Sequence, residues 1–178
     1  MSEVVNSLIK AGLSRRESHA MTGSLGGMRG SDLKAVTTAR PKPGDTGWTR
    51  LDPADGLDLV LQAAVGDLLM VSLNARAESG VGWLHLEVGT VVGQQVVSYC
   101  SGSGAAGEGA VGWQTPNSDT SFSPISGALF YVVKDEDLGA DGTVRLRLLG
   151  RSTTNNLRTI NAAAGDACVF TGVNLGSA

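Results

Sequence analysis

The length, composition and charge of the chain exclude several classes of protein. Its 178 residues allow one domain with a substantial core but not two full domains. Hydrophobic residues make up 42% of the sequence, which is typical of a globular protein and not of a disordered one. The net charge is −3, and no apolar run approaches the length of about 18 residues that a membrane span needs.

The charge is distributed unevenly along the chain. Residues 1–50 hold eight Lys or Arg against four acids, a net charge of +4. Residues 51–178 hold six against thirteen, a net charge of −7. This asymmetry predicts a basic N-terminal arm over residues 1–50 and a folded domain over residues 51–178, with the arm directed towards an acidic partner.

The arm begins with a short amphipathic pattern. Its apolar positions share one face of a short predicted helix that ends near Gly12. A helix this short needs a surface to lie on, and the Gly- and Pro-rich sequence that follows cannot build a core. The segment is therefore either a disordered leader or an arm that orders on a partner. The residues expected to contact that partner are Val4, Leu8, Ile9, Arg15, Arg16, Arg29, Arg40 and Trp48.

Strand patterns dominate the rest of the chain. Residues 143–149 follow an Asp-Gly turn and alternate Val or Leu with Arg145 and Arg147. This alternation indicates a strand with one face on a core and one in water, and the two arginines are expected to pair with carboxylates on adjacent strands. Leu149 interrupts the alternation and predicts a twist or bulge.

Seven further strand patterns are separated by turn signals rather than by helices. They lie at residues 57–61, 69–73, 83–88, 90–99, 129–133, 157–161 and 167–175. Eight short strands of this kind predict an all-β sandwich or barrel. Leu84, Leu86 and Val88 are predicted to point inward.

Cys100 and Cys168 both lie in apolar, strand-like runs. The sequence predicts two buried free thiols, and a disulfide between neighbouring strands is the alternative. The Cys and His residues are too dispersed for a zinc site. The acidic run at residues 135–137 lacks the spacing of a calcium loop and is predicted to be a solvated turn. No metal or cofactor is expected.

A long polar loop over residues 102–126 is the candidate ligand site. Its beginning matches G-x-G-x-x-G, but Gly and Pro follow where a dinucleotide site needs a helix. Trp113 is expected either to stack on a sugar or a neighbouring subunit, or to pack the loop itself. Loops of this length usually act at an interface. The candidate ligand residues are Trp113, Gln114, Asn117 and Asp119.

The sequence predicts no catalytic residues. No Ser lies in a nucleophile elbow, and no Cys has an identifiable His partner. A hydrolase with an unrecognised pair of carboxylates is a third hypothesis. Nucleic acid is not an expected partner, because the folded domain is acidic and the basic arm is almost free of aromatic residues.

The end of the chain resembles a known group of domains. Residues 159–161, 164–166 and 169–176 resemble the last hairpin of jelly-roll domains, and residues 57–76 look like the matching earlier hairpin. Such domains occur in tailed-phage virion proteins, in decoration proteins and fibre tips, and in trimeric tumour-necrosis-factor-like folds. The resemblance covers roughly residues 51–178 and rests on strand rhythm and Gly-Asp corners. It implies an antiparallel jelly-roll-like β-sandwich of about eight strands with an extended, partly helical N-terminal arm.

The resemblance also implies a function. The protein would be a non-enzymatic virion structural protein, a bacteriophage capsid decoration (cement) or minor capsid protein that docks through its arm and sandwich. Its partners would be the major capsid protein or neighbouring copies, in a homo-oligomer such as a trimer, without membrane contact. Its location would be the virion surface, after assembly in the host cytoplasm. The alternative is a fibre-tip or receptor- or glycan-binding module that uses the 102–126 loop.

Overall fold

The protein is built almost entirely of β-strands. The structure, a computed structural model, describes residues 30–36, 40–42, 47–51, 57–78, 84–101, 112–114, 122–152, 158–160 and 168–177. In chain order the strands are β1 (Gly30–Val36), β2 (Arg40–Lys42), β3 (Thr49–Arg50), β4 (Asp58–Gln62), β5 (Asp67–Glu78), β6 (Leu84–Val92), β7 (Gln95–Tyr99), β8 (Trp113–Gln114), β9 (Phe122–Val132), β10 (Thr143–Ser152), β11 (Arg158–Ile160) and β12 (Cys168–Ser177). These ranges contain a single helical turn, the 3₁₀ turn Asp135–Asp137, and no helix able to cross a membrane.

The strands form two antiparallel sheets. In sheet A, β1 and β2 lie end to end along one edge, with β11 and β12 end to end beside them. β5 comes next, and β9 forms the other edge of the described sheet. In sheet B, β3 and β4 lie along one edge, β10 and β6 are central, and β7 and β8 lie along the other edge.

The inward faces of the two sheets share one apolar core, as the alternation of the sequence predicts. β10 and β6 contribute every second residue, and each of these aliphatic side chains is fully buried. The predicted inward residues that the structure confirms are Val144, Leu146, Leu148, Leu84, Leu86 and Val88. The predicted burial of both thiols is also confirmed, and Cys100 and Cys168 form no disulfide with each other.

Gly172 lies where side chains of sheet B pack closely against sheet A. A Cβ at this position would lie 3.0 Å from Leu61 Cδ1 and 3.1 Å from Leu59 Cδ1. These distances are shorter than ordinary van der Waals contacts between carbon atoms. A residue without a side chain therefore lets the two leucines of sheet B press directly on β12.

The described part of the predicted arm is strand, and the structure does not support a helical arm. β1, β2 and β3 all lie within residues 1–50, and β1 pairs with β12 along its whole length. The predicted helix near the N-terminus lies outside the described residues. The boundary at residue 50 therefore does not coincide with an edge of the sandwich. Local patterns did not reveal β1, because its partner strand, β12, lies more than 130 positions away in the sequence.

Asp32 ties this edge of the sandwich together. Its Oδ2 accepts a hydrogen bond from the backbone N–H of Val60 in β4 at 2.9 Å, and its Oδ1 accepts one from Leu33 N at 2.8 Å. One side chain of sheet A thereby satisfies a backbone donor at the edge of sheet B. The two sheets are held together here by a polar contact in addition to the core.

β10 departs from its prediction at Leu149. Of the twist or bulge expected at Leu149, the bulge is wrong, because β10 pairs with β6 in one register from Arg145 to Ser152. Leu149 does face away from the core, but it is only 3% exposed because it packs over Gly89 of β6. The outer face of sheet B is therefore partly covered.

Candidate functional site

The outer face of sheet B carries one carboxylate surrounded by three arginines. Asp58 of β4 lies directly opposite Arg147 of β10 in the strand register. Arg147 donates from Nε and Nη2 to the two carboxylate oxygens of Asp58, at 3.0 and 2.9 Å. Arg50 Nη2 and Arg145 Nη1 each lie 3.7 Å from Asp58 Oδ2. The prediction that Arg145 and Arg147 pair with a carboxylate on an adjacent strand is confirmed.

The pair between Asp58 and Arg147 is almost fully removed from water. Their side chains are 10% and 7% exposed, so the expectation that Arg147 faces solvent is wrong. A bidentate geometry satisfies both carboxylate oxygens, which a buried ion pair requires. Arg145 is different, because half of its side chain is exposed at the mouth of the cluster. One arginine is thus structural, and the other faces a space that a ligand could enter.

The cluster lines a polar cavity of about 310 Å³. The tight turn at Gly93 and Gln94, between β6 and β7, forms one wall. Asp141 and Thr143, at the start of β10, form another wall. The described residues of the lining include three arginines and two aspartates, a formal charge of +1 within a domain that is acidic as a whole.

Asp141 is occupied by its own turn. Its Oδ1 accepts hydrogen bonds from Thr143 Oγ1 at 2.7 Å and from Thr143 N at 3.2 Å. These bonds lower the pKa of Asp141, so the carboxylate is charged at neutral pH. The predicted Asp-Gly turn is confirmed, because Gly142 adopts a φ of +71° that suits glycine.

The chemistry of the cavity is recognition of negative charge. Guanidinium groups bind carboxylates and phosphates through paired N–H donors. The side chains described around the cavity include no Ser, Cys or His, and Asp58 is already neutralised by arginine. The arrangement is therefore chemically suited to bind an oxyanion.

A second polar cluster, around Asp137, is structural. Asp137 is fully buried and accepts hydrogen bonds from Thr90 Oγ1 at 2.6 Å, Tyr131 Oη at 2.6 Å and Lys134 N at 2.8 Å. The prediction of a solvated acidic turn therefore fails at Asp137, although Asp135 and Glu136 are exposed. Burial and the Asp137 hydrogen bond raise the pKa of Tyr131, which remains a neutral donor.

The Cys100 thiol lies beside this cluster and is not poised for chemistry. It is 6% exposed, and burial, followed by the charges of Glu87 and Asp137, raises its thiol pKa well above the ordinary value. A nucleophilic cysteine needs the opposite shift. The thiol is therefore an inert part of the core.

Trp48, an expected partner contact, is used within the fold. The Arg151 guanidinium carbon lies 5.0 Å from the centroid of the Trp48 ring, and the Tyr99 ring centroid is 6.3 Å away. Arg151 Nε also donates to His85 Nδ1 at 3.4 Å, and burial together with the Arg151 charge lowers the pKa of His85. The indole is half-buried by these intramolecular contacts.

Trp113, the aromatic residue expected to bind a ligand in the candidate loop, is buried. Trp113 lies in β8, where its backbone pairs with Leu86 of β6, and it is only 8% exposed. Its ring therefore packs within the fold and offers no free face to a sugar. A Cβ at Gly127 would lie 2.9 Å from the indole nitrogen, which shows how closely β9 covers the ring. The backbone of Gln114 pairs with His85, while Asn117 and Asp119 lie outside the described residues.

Apart from Trp48, most of the expected partner residues lie outside the described ranges. Arg40 lies in β2, opposite Ile160, and the structure describes its backbone only. None of the predicted ligand or partner residues that the structure describes lines the arginine cavity. The remaining expected partner residues, which lie outside the described ranges, are Val4, Leu8, Ile9, Arg15, Arg16 and Arg29.

Sequence reasoning missed the cavity itself. The only signal was the alternation that placed Arg145 and Arg147 on one face of a strand in an acidic domain. Asp58 and Arg50 carried no local signal, because their proximity depends on the pairing of β3 and β4 with β10. Within the described ranges, no group of three His, Cys, Asp or Glu residues is arranged to hold a metal ion.

An exposed apolar strip lies on β9, at the edge of sheet A. Phe130 is 60% exposed and Val132 is 47% exposed, while Tyr131 and Val133 between and after them point into the core. Met70 of β5 lies opposite Phe130 and is half-buried. Large aromatic side chains exposed at a sheet edge are typical of surfaces that contact another protein.

Comparison with known proteins assigns no family. No protein-family model and no curated protein matches the sequence. Among solved structures, chains from infectious bursal disease virus strains Gx and Gt align with 83% of this chain at 12% identity, with TM-scores of 0.20 and 0.21. This chain spans 40% of the length of those viral chains. TM-scores this low do not establish a shared fold.

Proposed function

We propose that the protein is a non-enzymatic structural component of a virus particle, built on a jelly roll. The observation that carries the proposal is the strand order. Strands that lie end to end are counted as one: β1 with β2, β3 with β4, β7 with β8, and β11 with β12. The sandwich then has eight strands, and in sheet A the first pairs with the eighth and the third with the sixth. The second pairs with the seventh and the fourth with the fifth in sheet B. This nested order is that of a jelly roll, an architecture used by viral capsid and lectin domains.

Within that architecture, the packing of the domain favours a structural role over a sugar-binding role of the kind that lectins have. The centre between the sheets is filled by leucines that press on Gly172. The aromatic residue expected to stack on a sugar, Trp113, is buried. The fibre-tip or glycan-binding alternative therefore has no aromatic platform in the part of the loop that the structure describes.

The finer proposal is a bacteriophage capsid decoration or minor capsid protein on the virion surface. Residues 1–29, which precede β1, would act as the basic arm, and the strip of Phe130 and Val132 would lie against a neighbouring shell subunit or another copy. Covering an exposed Phe side chain stabilises a contact by about 1.5–3 kcal/mol. The arm would add contact area as it orders on the partner, which suits attachment to an assembled shell.

Association with particles tests this role directly. We expect the protein to co-sediment with particles of the virus that encodes it, and immunogold labelling to mark their surface. Phe130→Ser should reduce particle-bound protein by about tenfold or more, because it removes an apolar contact without touching the core. Val60→Ser is the matched control, since Val60 is 40% exposed on β4, an edge strand of the other sheet. Absence of the protein from purified particles would refute the proposed role.

A further inference from the structure

We propose that the arginine cavity on sheet B is a binding site for an oxyanion, a carboxylate or a phosphate group. The first reason is the incomplete pairing of Arg145. Its nearest described carboxylate oxygen, Asp58 Oδ2, lies 3.7 Å away, beyond the N–H···O distance of a hydrogen bond. That oxygen already accepts a 2.9 Å bond from Arg147. The N–H groups of Arg145 are therefore not consumed by Asp58.

The second reason is the balance of charge. The single negative charge of Asp58 is matched by the two bonds from Arg147, so the half-exposed Arg145 keeps its positive charge at the mouth of the cavity. Asp141 also lines the cavity, but its Oδ1 is turned to Thr143. An incoming oxyanion would pair with the Arg145 guanidinium.

The third reason is space. A cavity of about 310 Å³ is far larger than the roughly 10–15 Å³ that one water molecule needs on the same measure. A carboxylate or phosphate group with its bound water fits within this volume. The rigid floor is the pair between Asp58 and Arg147, which is buried and bidentate. The site is therefore pre-formed, and binding needs no large rearrangement of the strands that carry it.

The inference is independent of the virion role, which rests on strand order. In a particle, the oxyanion would be supplied by an acidic group of the contacting surface. In isolation, acetate and inorganic phosphate are the probes for the two chemistries. The anion that saturates the site at lower concentration identifies which group the cavity prefers.

Titration followed by ¹H–¹⁵N NMR tests the site. Sodium acetate and sodium phosphate are added separately to the full-length protein, with sodium chloride keeping the ionic strength constant. We expect saturable shifts of the Gly93, Gln94 and Thr143 amides and of the Arg145 side chain. Arg145→Gln should weaken binding about tenfold, and Asp141→Asn should strengthen it, because each changes the charge facing the ligand by one unit.

The matched control is Arg76→Gln, an exposed arginine on β5 of sheet A, which should leave the affinity unchanged. All variants are compared only after their amide spectra show a folded sandwich. If neither anion produces saturable shifts at the cavity, the inference is overturned. Equal affinity in Arg145→Gln and in the unaltered protein would overturn it as well.

Discussion

At the scale of single residues, the outer face of sheet B is governed by the pairing of Asp58 with Arg147. The two side chains lie opposite each other across β4 and β10 and are both almost buried. An ion pair of this kind contributes little compared with an apolar pair, but removing one partner leaves a buried charge without compensation. Its value to the fold is that it fixes the register of an edge strand.

We expect Arg147→Ala to lower the free energy of unfolding by about 3–5 kcal/mol, because Asp58 would stay buried without its bidentate partner. Arg145→Ala should lower it by less than about 1 kcal/mol, since that side chain is half-exposed and its attraction is screened by water. Urea denaturation followed by circular dichroism measures both values. Equal losses in the two variants would contradict the assignment of separate roles.

Cys100 provides a second prediction at this scale. Its thiol pKa is raised above the ordinary value of 9.0 in the folded protein, so the unfolded chain loses this proton at lower pH than the folded one. The contribution of Cys100 to stability is therefore complete below about pH 9 and decreases as the pH rises further. Urea denaturation between pH 7.5 and 10.5 should show this fall, and Cys100→Ala should reduce the slope. An unchanged slope in Cys100→Ala would contradict the prediction.

At the scale of elements, the first described strand is part of the sandwich. β1 pairs with β12 along its whole length, and its Asp32 side chain accepts a hydrogen bond from the backbone N–H of Val60 in β4. The basic segment of residues 1–50 therefore includes three strands, β1, β2 and β3, that belong to the sandwich. Their place in the sandwich determines where the chain can be shortened.

We expect deletion of residues 1–29 to leave a soluble, folded sandwich, because it removes none of the described strands. Deletion of residues 1–47 should cause aggregation or loss of cooperative unfolding, since it exposes the β12 edge and removes β1 and β2. Thermal melts and size-exclusion chromatography of the two variants distinguish these outcomes. A folded, monodisperse 1–47 deletion would show that β1 is dispensable.

At the scale of the whole molecule, two surfaces differ in chemistry and lie on different sheets. Sheet B presents a cationic cavity, and the edge of sheet A presents Phe130 and Val132. A component that bridges neighbours in a shell needs contacts on more than one side, and two surfaces on different sheets would allow such contacts. The proposed virion role and the proposed oxyanion site use these surfaces separately, so each can be tested without the other.

The sequence by itself determined the all-β class, the inward side of β6 and β10, the turn at Asp141-Gly142 and the burial of both cysteines. Each of these depends on alternation or turn chemistry within a few residues, which short-range physics encodes. Only the tertiary structure decided that β1 belongs to sheet A and that Trp113 packs inside. It alone brought Asp58 to Arg147, 89 positions away in the chain. Such contacts follow from which strands pair, and strand pairing is decided by the packing of the whole sandwich.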